Sequence, residues 1–187
     1  MENMDEITAT NPKKTTVFSN AIKYGLYTGI ASVLLSLLFF ALDVSRESYL
    51  QWLSWVILIA GIIMGTLNYR DKINGGFISY GDAFLTGLYI TIVTAILSVI
   101  YFYILINYID VNFIKTSLDT LEQSLVDKGV SDEMIDQQVT MAGKFMTPTI
   151  MMVMGFVTSL VMGVIISLIT SAIFKKNDDS FNATFNQ

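Results

Sequence analysis

The chain has 187 residues, of which 53% are hydrophobic and 14% charged, against about 25% charged in a typical soluble domain. Its formal net charge of −5 sets nucleic acid aside as a partner, because phosphate recognition rests on clusters of Lys and Arg. Cysteine and histidine are both absent, which excludes disulfides, thiolate chemistry and the commonest metal ligand and general base near neutral pH.

Residues 1–19 lack an apolar pattern and are expected to form a flexible cytoplasmic N-terminus. Charged residues then divide the chain into four uncharged runs, 24–42, 48–69, 83–109 and 145–174. Each reaches the roughly 20 residues that carry a helix across about 30 Å of hydrocarbon. Each run is apolar all round, and none alternates as a barrel strand does, so backbone hydrogen bonding in lipid leaves the α-helix. The expected fold class is an all-α membrane protein with four transmembrane helices, and a helical extracytoplasmic loop between the third and fourth. Its membrane domain covers 20–176, with spans at about 22–42, 50–69, 83–108 and 147–174.

The first run is expected to be a retained helix and no signal peptide. Its apolar core exceeds the roughly 7–15 residues of a signal h-region, and Glu2, Asp5 and Glu6 precede it. After the second run, Asn74-Gly75-Gly76 predicts a turn. Ser79 and Asp82 then have the spacing of a capping box, so Ser79, Tyr80, Gly81 and Asp82 form the opening motif of the third helix.

The outer segment 110–146 carries seven acids and three lysines, with Ile114, Leu118, Leu121 and Leu125 on one helical face. Gly129 has the place of a C-cap, and Ser131-Asp132-Glu133 that of a new helix start. Ile135, Val139 and Ala142 continue an apolar face, so the segment is either a separate hairpin or two extensions of the spans. Asp132 and Asp136 lie one turn apart, but without the ligand spacing of a calcium loop they form a solvated acidic face. No metal and no cofactor are expected. Thr147 as N-cap and Pro148 as the first helical residue predict a clean start to the fourth span, over the alternative of a kink in a longer helix. The tail 177–187 is expected to be flexible and cytoplasmic.

Four spans place both termini on one side. Seven basic residues (Lys13, Lys14, Lys23, Arg70, Lys72, Lys175 and Lys176) fall on that side, against Arg46, Lys115, Lys128 and Lys144 on the other. The positive-inside rule makes the richer side cytoplasmic. Trp52, Trp55, Tyr101, Tyr103 and Tyr108 at outer ends, and Tyr24, Tyr69 and Phe174 at inner ends, are expected as interfacial anchors.

Apolar side chains gain little from each other in lipid, so close backbone approach at small residues decides helix packing. The fourth span carries Gly155, Ser159, Gly163, Ser167 and Ser171 at intervals of four, an unbroken ridge. Gly25 and Gly29 in the first span and Gly61 and Gly65 in the second have the same spacing. These residues are the candidate packing seam, within one bundle or between copies.

Four pieces of the chain together resemble a known family. They are Lys23-Tyr24-Gly25-Leu26, the Gly61-x-x-x-Gly65 pair, Ile78-Ser79-Tyr80-Gly81-Asp82-Ala83-Phe84, and the exit Ala172-Ile173-Phe174-Lys175-Lys176. Over roughly residues 18–177 they resemble the bacterial domain-of-unknown-function family 4199, in which Gln often stands at the position of Asp82. The resemblance implies a multi-pass protein of the bacterial inner membrane and supplies no catalytic residue. Tyr24-Gly25 and Tyr80-Gly81 also echo each other, as a tandem two-helix repeat or by chance.

No span holds a charge at its centre, and no acid, base and nucleophile are grouped, so no enzymatic activity is expected. The expected role is structural, assembly or regulatory, acting through helix and loop contacts. Its partners would be the lipid bilayer and a second copy or another membrane protein. The alternative is a small transporter or channel component, using hydroxyls such as Thr86, Thr91, Thr94 and Ser98 on the third span.

Overall fold

Long uncharged runs satisfy their own backbone only as helices, and four such helices are present in a computed structural model that describes residues 12–42 and 52–176. In chain order the helices are α1 (Pro12–Ala41), α2 (Trp52–Asn68), α3 (Tyr80–Ile104), α4 (Phe113–Asp127), α5 (Asp132–Phe145) and α6 (Pro148–Phe174). A wider π-turn extends α2 over Tyr69–Ile73, and another extends α3 over Leu105–Ile109. With these turns, α1, α2, α3 and α6 are each long and apolar enough to cross a membrane. The protein is a multi-pass, all-α membrane protein.

The chain divides into two compact units. The first comprises residues up to Leu97 and from Ser159 onward, so it holds α1, α2, most of α3 and the later part of α6. Two buried clusters centre it. Val17, Tyr69, Ile78 and Ala83 form one, and Ala21, Leu58, Ile62 and Ile90 the other. Away from them, Leu34 and Leu38 on α1, and Val161, Ile165 and Ile173 on α6, are exposed, as lipid-facing residues should be.

Two expectations need correction here. The segment 1–19, expected to be flexible, overlaps α1, whose helix is already formed at Pro12; residues 1–11 lie outside the described residues. Proline is tolerated in a first helical turn. Val17 then packs with Tyr69, Ile78 and Ala83, which a hydropathy count starting at Lys23 cannot register. Tyr69, expected as an interfacial anchor, is 1% exposed and belongs to that same cluster. The tail 177–187 and the loop 43–51 lie outside the described residues.

The second unit spans Ser98–Thr158. Within it, the segment 110–146 is a separate hairpin, because α4 and α5 are distinct helices packed on each other. Gly129, at φ +70°, donates its N–H to the carbonyl of Val126 at 2.9 Å, and Val130 donates to Leu125 at 3.1 Å. This pair of bonds is a Schellman stop, and the left-handed backbone explains the glycine. Leu125 on α4 and Ile135 on α5 are buried, and Phe102 meets Phe113 edge-on at 5.4 Å. Ser131 occupies the N-cap of α5 with an extended backbone, although its hydroxyl makes no capping bond. At α6 the clean start holds: Met146 and Thr147 leave the helical path, and the Ile150 N–H donates to Thr147 Oγ1 at 3.4 Å.

Candidate functional site: a seam of small residues and buried hydroxyls

On α3, Ala83, Gly87, Thr91 and Ala95 recur every four residues and all are buried. This row meets the later part of the α6 ridge. A methyl added at Gly163 would strike the side chain of Thr91, and one added at Gly87 would strike Ser167 and Ile62. Ser171 is also fully buried. At the other end of the ridge, Ser159 is half-buried, while Gly155 is exposed and a methyl there would meet nothing within 4 Å.

The first and second spans join through the same device. A methyl at Gly61 would strike Thr28, and one at Gly65 would strike Ile90 and come within 3.1 Å of Tyr24 Cβ. A methyl at Gly25 would lie 2.7 Å from Val93 Cβ, and one at Gly29 would press on Leu97, 3.2 Å from its Cβ. Thus α3 touches α1, α2 and α6, each time at a glycine. Gly87 is absent from the expected seam, and its signal was the four-residue spacing Ala83-Gly87-Thr91-Ala95, a second row complementary to the first.

Glycine also bares its own carbonyl, and two side chains use this across helices. Asn20 on α1 donates its amide Nδ2 to the Gly65 carbonyl at 2.9 Å, and Thr94 on α3 donates its hydroxyl to the Gly25 carbonyl at 3.2 Å. Other buried hydroxyls turn back on their own helix. Thr28 donates to Tyr24 (2.7 Å), Thr86 to Asp82 (2.7 Å), Thr91 to Gly87 (2.9 Å) and Ser171 to the carbonyl of Ser167. That bonding leaves mostly methyl and methylene surface to face a neighbouring helix. Thr66 Oγ1 and Ser167 Oγ are buried without a hydrogen-bond partner.

At one end of this unit Asn74-Gly75-Gly76 turns the chain, both glycines at positive φ and the Asn74 amide donating to the Phe77 carbonyl at 2.6 Å. Ile78 then pairs with Lys176. Each donates its N–H to the other's carbonyl at 2.9 Å, an isolated antiparallel bridge that no sequence pattern announced. The Lys176 ammonium sits 5.6 Å from the centre of the Phe77 ring. In the opening motif of α3, the Asp82 N–H donates to Ser79 Oγ at 3.1 Å, so Ser79 acts as the N-cap. Tyr80 is exposed, and a methyl on Gly81 would meet nothing within 4 Å. Gly25 is tightly packed, so the two Tyr-Gly pairs of the internal echo have different surroundings.

Asp132 and Asp136 are both exposed, and no group of three or more acidic side chains that could hold a metal occurs among the described residues. A family model described as protein of unknown function (DUF4199) matches residues 23–176. No curated protein and no solved structure matches the chain.

Proposed function

Because the chain belongs to the family described as protein of unknown function (DUF4199), we propose its role from packing and charge: a structural, assembly or regulatory component of a bacterial inner membrane that acts through contacts and performs no chemistry. One observation carries this reading. The helices of the first unit are locked at contact distance by Gly25, Gly61, Gly65, Gly87 and Gly163, as suits a fixed scaffold better than a passage that opens. Purification from native membranes through a C-terminal tag should yield a stoichiometric membrane partner or a homo-oligomer. A monomer without a partner in native lipid would end the proposal.

Both termini are cytoplasmic on this reading. The Ile78–Lys176 bridge brings the α2–α3 loop and the α6 exit to one end, which gathers Arg70, Lys72, Lys175 and Lys176. Since the chain has no cysteine, single cysteines can report the sidedness directly. An impermeant maleimide applied to whole cells should label Glu122→Cys on the outer hairpin and leave Asn177→Cys untouched.

A second reading, a small transporter or channel component, draws on two of the buried hydroxyls without partners, Thr66 and Ser167. Such groups could line a polar step for a solute. Counterion-dependent uptake by proteoliposomes, lost in Thr66→Val and Ser167→Ala, would favour it over the scaffold.

A further inference from the structure

We propose that α5 lies along the outer bilayer surface, with Met134, Met141 and Phe145 seated at the boundary between headgroups and acyl chains. Successive helical residues are offset by about 100°, which places the apolar residues of α5 on one half of its circumference. Ile135, Val139 and Ala142 form one part of that half. Ile135 is 7% exposed, and the other two are half-buried. Met134, Met141 and Phe145 form the adjoining part, and they remain 53%, 62% and 61% exposed. Asp132, Glu133, Asp136 and Thr140 are exposed on the opposite arc. The hairpin partner α4 therefore covers only part of this apolar half, exposed Gln138 stands between the covered and uncovered parts, and the acids Asp132 and Asp136 are turned away from the uncovered part. An uncovered apolar arc opposite an acidic one lets a helix rest in a membrane interface through apolar burial, with Lys144 as its single basic group.

Continuity with the lipid-facing surface identifies the occupant. Phe145 stands three residues before Pro148, the first residue of a membrane-crossing helix, so chain length alone keeps it near the bilayer. Were α5 upright, Met134 would lie about 16 Å farther out than Phe145, in water and uncovered. Lying flat, all three side chains reach one depth. The non-helical residues Met146 (φ −80°, ψ 47°) and Thr147 allow α5 to leave the axis of α6.

The cysteine-free chain lends itself to spin labels. Met134→Cys, Met141→Cys and Asp136→Cys would be labelled singly and reconstituted in vesicles of phosphatidylethanolamine and phosphatidylglycerol. All three native side chains are exposed, so the labels displace no packing. Collision with oxygen should exceed collision with a water-soluble nickel chelate several-fold at positions 134 and 141, with the ratio reversed at 136. Nickel-favoured collision at 134 and 141 would mean an upright hairpin in water. Low collision with both reagents there would mean cover by a second copy or another protein. Either result overturns the proposal.

Discussion

Gly155 and Gly163 lie two turns apart on one face of α6, in the same unbroken row of small residues, yet they live in different surroundings. Gly163 has no room for a methyl because Thr91 of α3 occupies that space, whereas Gly155 faces nothing within 4 Å. The spacing of small residues is thus a permission for close approach. A contact forms only where a second helix presents its own matching row, as Gly87 and Thr91 do opposite Ser167 and Gly163.

The strongest way to break this contrast is to put the same large residue at both places. Gly163→Ile should cost about 3 kcal/mol or prevent assembly, because the neighbouring helix must move. Gly155→Ile should stay within about 0.5 kcal/mol, as for substitutions away from contacts. Unfolding midpoints in one detergent would compare them, and equal losses would remove the distinction. A gentler pair sharpens it by sign. Gly163→Ala should lower the midpoint, while Gly155→Ala should raise it, since a helix-interior glycine costs roughly 0.5–1 kcal/mol relative to alanine.

Next in size is Asn20→Ala, which deletes the bond from α1 to the Gly65 carbonyl and should cost about 1–2 kcal/mol by the same midpoint measurement. In the α4–α5 hairpin, Gly129→Ala forces a side chain into a backbone at φ +70°, a strain of about 1 kcal/mol. Hydrogen exchange at the amides of Gly129 and Val130 should then quicken by about fivefold. The smallest loss expected from deleting a bond belongs to Thr94→Val, which keeps the shape and loses only the hydroxyl bond to Gly25, for about 0.6 kcal/mol.

The features legible in the sequence were those with a local cause. Long runs without charge marked the four spans, Gly129 marked the stop of α4, and Thr147-Pro148 marked the start of α6, because each depends on the residues beside it. The seam was half legible. The α6 ridge stood out by its glycines, while its counterpart on α3, which mixes Ala83 and Ala95 with Gly87 and Thr91, looked like ordinary membrane composition. Features that depend on distant chain were hidden. The burial of Tyr69 needs Val17 and Ile78 to arrive from other segments, and the helical segment at Pro12 has polar neighbours in sequence.

The two hydrogen bonds between Ile78 and Lys176 have a mechanical consequence. Chain leaving the last span departs from a moored point, so a pull applied beyond Lys176 is shared with the turn that connects the second and third spans. A fluorophore or partner domain fused there would report on that turn as well as on the end of the sixth helix.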